Sequence, residues 1–170
     1  VVFGQLVVGS TLTGYNILRH NDQVRDNRPY HYVNEEEARP VVYAALARHT
    51  ELAGDENEAQ VDRIYKAEGM AVIKANKVRY AGLAAYRILP LWFNHGVNEA
   101  YGKPVGLMDR VVALQQAMLL VLALVGCWRM PRRGWPLAMA VVVLCLAYLA
   151  IVARLRYVIP VMPVVVLFAA

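Results

Sequence analysis

Two long uncharged stretches constrain this chain more than any other feature of its sequence. Residues 111–128 and residues 136–153 each run for 18 positions without a charged side chain, and residues 158–170 form a third apolar run. About 20 apolar residues in a helix cross the hydrocarbon core of a bilayer. We therefore predict membrane-spanning helices at 111–128 and 136–153, and a third span at 158–170 that is truncated.

The residues before these runs are mixed and charged, and they carry helix signals. Three consecutive glutamates open a predicted helix at 35–52, because the helix dipole favours negative charge in the first turn. A second helix is predicted at 56–76, with Asp55 as its N-cap. Residues 14–21 have the composition of a loop. A third helix, at 77–93, is too short and too charged to span, and its Trp, Tyr and Arg residues predict a position among the lipid head groups.

The excess positive charge lies beside the apolar runs. The net charge is +5, yet residues 1–108 contain 12 basic and 12 acidic side chains, whereas the rest contains six arginines and one aspartate. This distribution is typical of topology determinants and lipid contacts, and it argues against a nucleic-acid partner. Three arginines in the loop at 129–135 predict that this loop is cytoplasmic. Residues 1–108 and the turn at 154–157 are then expected on the outer side.

These patterns predict an all-α integral membrane protein of the inner or plasma membrane. Residues 1–108 would form an extracytoplasmic loop and helical segment, and residues 109–170 the transmembrane region. Cys127 and Cys145 both lie inside apolar runs, which indicates small buried hydrophobic side chains rather than a disulfide scaffold or a Cys-x-x-Cys metal site. The histidines show no ligand spacing, so no metal site is predicted. Both ends of the sequence look cut, and we expect a C-terminal part of a larger membrane protein.

The strongest candidate for a binding site is the charged turn between the last two apolar runs. Arg154, Arg156 and Tyr157 stand there, followed by two prolines within the third run. Charge at a membrane boundary is costly unless it meets water, lipid phosphate or a bound anion. An arginine fork matches the oxygens of a phosphate. The turn could therefore bind an anionic head group, although arginines that only fix topology would give the same pattern.

A second candidate lies near the start of the chain. Tyr15, Asn16, His20 and Asn21 stand within the segment predicted to be a loop, and they could line a pocket for a sugar or a phosphate. The alternative is ordinary turn chemistry, because asparagine readily occupies turns and caps.

Three sequence blocks, in their order along the chain, resemble the C-terminal half of integral-membrane glycosyltransferases with the GT-C fold. This family includes the dolichyl-phosphate-mannose protein mannosyltransferases and the aminoarabinose transferases. Residues 14–21 (GYNILRHN) are similar to a loop of the family. Residues 62–92 are similar to its charged helix followed by I-x-x-N-P-x-x-Y and R-x-x-x-x-W, with Lys77 in place of the commoner proline. Residues 156–163 (RYVIPVMP) are similar to its closing R-Y-x-x-P-x-x-P.

The resemblance implies a polyprenyl-phosphate-linked sugar as donor and transfer, with inversion at the anomeric carbon, to an acceptor at the outer membrane face. It also implies that the anion expected at Arg154, Arg156 and Tyr157 is the phosphate of the donor lipid. The family's catalytic carboxylate lies in an early outward loop, so no catalytic residue is assigned here and Asp22 and Asp26 are not candidates. A divalent metal could serve the full-length enzyme, and this segment alone is expected to be inactive.

Two other interpretations were weighed from the residues. A membrane-anchored helical interaction protein without enzymatic activity would have the same composition, although no period of about 34 residues indicates helical repeats. A transporter subunit is disfavoured, because the predicted spans carry no ionisable residue at mid-depth.

Overall fold

A computed structural model gives the structure of most of the chain. The residues it describes are 13–27, 29–49, 57–129, 134–151 and 155–170. Of these, 83% are helical and none lies in a strand, which confirms the all-α prediction. The chain divides into two compact units, Val1–Leu83 and Ala84–Ala170.

Four helices define the described part of the first unit. They are α1 (Thr13–Asn21), α2 (Glu35–Ala47), α3 (Glu58–Ala75) and α4 (Lys77–Tyr86), and a 3-10 turn, Asp22–Val24, follows α1. Helix α1 was predicted to be a loop, and that prediction is wrong. The helix is held by tertiary contacts, since it packs so closely on α3 that a Cβ on Gly14 would overlap the backbone of Asp62. A Cβ on Gly69 of α3 would likewise press on Ile17.

The core of this unit lies where α1, α2 and α3 meet. Leu18 and Ala45 are fully buried, and Val42 and Tyr65 pack with them. Helix α2 begins at Glu35 as predicted, with Asn34 as its N-cap. The predicted extension of this helix towards residue 52 falls partly outside the described residues.

Helix α3 begins with a capping box at Asn57, two residues after the predicted N-cap. The Asn57 side chain accepts from the backbone N–H of Gln60, and the Gln60 side chain accepts from the backbone N–H of Asn57. This reciprocal pairing satisfies two otherwise unpaired N–H groups of the first turn. Asp55, the predicted N-cap, lies outside the described residues.

The single helix predicted at 77–93 is two helices. Helix α4 ends at Tyr86, and α5 (Ile88–Phe93) begins after Arg87. Pro90 explains the break, because proline has no N–H to donate to the carbonyl of Tyr86 and its ring collides with that carbonyl in a continuous helix.

The second unit contains the apolar helices. After α5 come α6 (Val97–Ala100), α7 (Leu107–Arg129) and α8 (Trp135–Ile151), then a 3-10 segment (Leu155–Val161) and α9 (Met162–Ala169). Its core joins α5, α7, the 3-10 segment and α9 through a set of buried side chains: Leu91, Trp92, Ala123, Val158, Val161, Val165 and Phe168. The burial of Trp92 in this core shows that it packs against protein, rather than serving as the exposed anchor expected in a head-group helix.

The three predicted spans differ in how far each forms one continuous helix. Helix α7 covers residues 111–128 and, among the described helices, it alone is long and apolar enough to cross a membrane. Helix α8 reaches 17 residues, and residues 152–154 lie outside the described part. The third run is not one helix. The 3-10 segment gives way to α9 at Met162, near Pro160 and Pro163, whose missing N–H groups interrupt the helical ladder.

Candidate functional site

Arg156 and Tyr157 form one unit with an aromatic ring of α8. The ring of Tyr157 stacks on the ring of Tyr148, with centroids 5.0 Å apart and planes 9° from parallel. The Arg156 guanidinium lies 5.2 Å from the centroid of the Tyr157 ring, and its Nη2 donates to Tyr157 Oη at 3.3 Å. The arginine is therefore positioned by a ring that is itself fixed by a second ring.

The short 3-10 segment that carries these residues packs against the core of the unit. Val158 and Val161 are buried in the core of the unit, beside Leu91 and Trp92 of α5. Because Val158 follows Tyr157 directly, this anchoring fixes the backbone at the site. Arg156 is exposed and Tyr157 is half-buried, so the guanidinium is available to a ligand while the tyrosine supports it.

A buried arginine occupies the end of α8 on which Tyr148 stands. Arg87 is only 4% exposed, and its Nη1 donates to the backbone oxygens of Leu149 at 2.8 Å and Ala150 at 3.2 Å. The last carbonyls of a helix lack partners within the helix and carry partial negative charge, so a cation stabilises them. Arg87 was expected to be a membrane anchor, and no local pattern indicates its contact with residues about 60 positions away.

This arrangement has the chemistry of an oxyanion site. The Arg156 guanidinium presents several N–H donors in a plane, and the Tyr157 hydroxyl adds a further polar atom beside it. The pair is therefore suited to binding an oxyanion. Arg154, the third predicted residue of the site, lies outside the described residues.

The second predicted site lies on helix α1 rather than in a loop. Asn21 is fully buried on α1, and its Nδ2 donates to Ile17 O at 2.7 Å. His20 is buried with its ring 5.4 Å from that of Tyr32. Tyr15 makes an edge contact with Tyr65 of α3 at 5.9 Å, and Asn16 is half-buried on the same helix. Tyr15, His20 and Asn21 thus pack the helix against its own unit.

A polar cluster of the first unit surrounds Glu68 of α3. Its Oε2 lies 2.6 Å from Arg48 Nη2 and 3.9 Å from Arg25 Nη2, and its Oε1 lies 3.4 Å from His49 Nε2. The hydrogen bond from Arg48 lowers the pKa of the Glu68 carboxyl. Nearby, Asp22 pairs with Arg25 at 3.0 Å, and burial raises the pKa of Asp22. This cluster joins α2, α3 and the 3-10 turn, which makes it a structural cluster.

No group of His, Cys, Asp and Glu side chains suited to a metal ion occurs within the described residues. Comparison of the chain with protein-family models, with curated proteins and with solved structures gave no match.

Proposed function

We propose that the second unit inserts into a membrane through α7 and α8. The support is the apolar surface that these helices leave uncovered. Leu114 is 64% exposed, Met118 59% and Trp128 91% on α7, and α8 exposes a comparable set of residues. Soluble proteins rarely expose a contiguous apolar surface of this extent, and a bilayer covers one without further partners.

At the end of α8, the Arg156–Tyr157 pair would then bind the phosphate of a polyprenyl-phosphate donor lipid. The single observation that carries this proposal is the ordered stack in which Tyr148 supports Tyr157 and Tyr157 supports the exposed Arg156. An arginine that only fixes topology needs no such support. The apolar residues around the turn would accommodate the lipid chain, and the guanidinium would bind the phosphate oxygens.

The reaction we propose is sugar transfer from that donor to an acceptor at the outer membrane face. This step rests on the resemblance of residues 14–21, 62–92 and 156–163 to membrane glycosyltransferases of the GT-C fold. In such an enzyme the described residues would bind the donor lipid, and the carboxylate that activates the acceptor would come from another region.

Equilibrium binding of polyprenyl phosphate to the full chain in detergent micelles tests the donor site. Phosphate-free polyprenol of the same length serves as the comparison ligand. Wild type should bind the phosphate form more tightly by about tenfold, the effect of one charge-assisted contact. Arg156→Ala should abolish this preference, whereas Arg63→Ala, an exposed arginine on α3, should keep it. Equal binding of both ligands by wild type would contradict the proposal and favour a membrane-anchored interaction protein.

A further inference from the structure

The second unit contains a pocket at the start of α7, formed together with α5, α6 and the linker that follows α6. Its volume is about 350 Å³, within the range of small-molecule sites. Its walls are of two kinds. Phe93, Val105, Val112 and Ala113 supply an apolar side, and a polar side is formed by Asn94, His95, Asn98, Glu99, Asp109 and Arg110.

A hydrogen-bonded framework accounts for half of the polar side. Asn94 Nδ2 donates to Asn98 Oδ1 at 3.3 Å, and Asn98 Nδ2 donates to Asp109 Oδ1 at 2.9 Å. The other oxygen of Asp109 accepts from the backbone N–H of Gly106 at 2.8 Å, which caps the first turn of α7. These hydrogen bonds therefore hold the side chains of Asn94, Asn98 and Asp109 in the pocket wall.

The two charged residues Glu99 and Arg110 lie outside the hydrogen-bonded framework. Neither side chain takes part in its hydrogen bonds, although both line the pocket. The position of Arg110 in the first turn of α7 is unfavourable for helix stability, because the helix dipole disfavours a cation at the N-terminus. The helix dipole therefore does not favour this charge, and a bound anion would offset its cost.

The apolar side of the pocket continues along α7. Arg110, Leu114 and Met118 are spaced by four residues, which places them on one face over successive turns. Leu114 and Met118 are both exposed apolar side chains. A ligand with its anion at Arg110 could extend a hydrocarbon chain along this face. A ligand with an additional cationic group would meet Glu99.

We infer that this pocket binds the head group of a zwitterionic phospholipid of the phosphoethanolamine type. Its phosphate contacts Arg110, its ammonium group contacts Glu99, and one acyl chain lies along Leu114 and Met118. This inference rests on the proposed membrane insertion of α7 but not on the proposed sugar transfer. It assigns Arg110 a different ligand from that of Arg156, namely a lipid of the surrounding bilayer.

Lipid retention by the full chain, measured by native mass spectrometry after release from nanodiscs, tests the site. The nanodiscs contain equal amounts of phosphatidylethanolamine, phosphatidylglycerol and phosphatidylcholine with matched acyl chains. Wild type should retain phosphatidylethanolamine over each of the others by about tenfold. Glu99→Gln should remove its advantage over phosphatidylglycerol, and Arg110→Gln should lower the retention of all three lipids.

Arg129→Gln, at the opposite end of the same helix, is the matched control and should keep the wild-type preference. Both test residues are exposed, and circular dichroism checks that their variants keep the helical fold. Equal retention of the three lipids by wild type, an unchanged preference in Glu99→Gln, or unchanged lipid retention in Arg110→Gln overturns the site alone. Failure of the chain to enter nanodiscs of any composition overturns the membrane insertion and the site together.

Discussion

Arg87 and Leu149 are joined across 62 residues of chain by a hydrogen bond of 2.8 Å from the Arg87 guanidinium to the Leu149 carbonyl. The bond connects the start of α5 to the last turn of α8, the helix that carries Tyr148. Because Tyr148 stacks on Tyr157, Arg87 supports the helix end against which the Arg156–Tyr157 pair rests. A buried arginine at this position is therefore a structural requirement of the candidate site.

Arg87→Gln should destabilise the second unit by about 2 kcal/mol, the range for a lost hydrogen bond to a charged group. The terminal carbonyls of α8 would lose their cation, and the shorter glutamine side chain would leave part of the space of the arginine side chain empty. Arg87→Lys should recover part of the loss, because it keeps the charge but not the planar fork. Thermal unfolding in detergent micelles, followed by circular dichroism, measures the change. Arg63→Gln is the control, and equal melting temperatures for Arg87→Gln and Arg63→Gln would refute the role of Arg87.

A carboxylate from α3 caps helix α1. Asp62 Oδ1 accepts from the backbone N–H of Gly14 at 2.7 Å and from that of Tyr15 at 3.1 Å. Asp62→Ala should cost about 1 kcal/mol, as for other lost helix caps. Asp62→Asn should cost less, since its amide oxygen still accepts. Chemical denaturation measures both values, and a null effect of Asp62→Ala relative to its exposed neighbour Arg63→Ala would show that the cap contributes nothing.

This cap explains why sequence reasoning failed at residues 14–21. The segment begins with glycine, contains two asparagines and has few strong helix formers, so local propensity favours a loop. The groups that make it helical lie on α3, where Asp62 caps its first turn and Gly69 allows close packing. A local pattern cannot reveal contacts between residues nearly 50 positions apart.

Other elements could be predicted because their signals are local. The absence of charge over residues 111–128 located α7, and the glutamates after Asn34 located the start of α2. Pro90 is also a local signal, and it indicates the break after Tyr86 that the single predicted helix at 77–93 did not include. The candidate site was predictable only as a set of residue types at Arg156 and Tyr157. The stacking of Tyr157 on Tyr148 and the contact of Arg87 with α8 depend on the tertiary fold.

The Glu68 cluster should make the stability of the first unit depend on pH. The folded state lowers the pKa of Glu68 from its ordinary value of 4.5. An acid with a lowered pKa in the folded state contributes stability above its ordinary pKa and loses that contribution as the pH falls through the folded value. Wild type should therefore be more stable than Glu68→Gln at pH 7, and the difference should disappear at acid pH. The charges are partly exposed, so we expect a difference below about 1 kcal/mol.

Urea denaturation of wild type and Glu68→Gln between pH 7 and pH 3 measures this dependence. Arg48→Gln is the matched control. It removes the main cause of the pKa shift, so most of the pH dependence attributed to Glu68 should be lost in this background. A stability difference between wild type and Glu68→Gln that remains constant over the whole range would contradict the assignment.

Helices α7 and α9 approach closely at a glycine. A Cβ on Gly126 would overlap the backbone carbonyl of Phe168, and small residues permit such approach between apolar helices. Gly126→Ala should lower stability by about 1–3 kcal/mol through overpacking. Gly106→Ala is the control, because the nearest atom to its Cβ would lie 3.6 Å away. Equal thermal stability of the two variants would show that α9 does not pack at this position.

The contact between Arg156 and a lipid phosphate can be measured directly by solid-state NMR. Protein carrying guanidino-13C arginine would be placed in galactolipid bilayers, in which added polyprenyl phosphate is the only source of phosphorus. We predict 13C–31P dephasing that corresponds to about 4 Å, as expected for hydrogen-bonded guanidinium and phosphate. This dephasing should fall sharply in Arg156→Gln and persist in Arg63→Gln. Absence of dephasing in wild type, or dephasing that is unchanged in Arg156→Gln, would contradict the proposed donor-phosphate site.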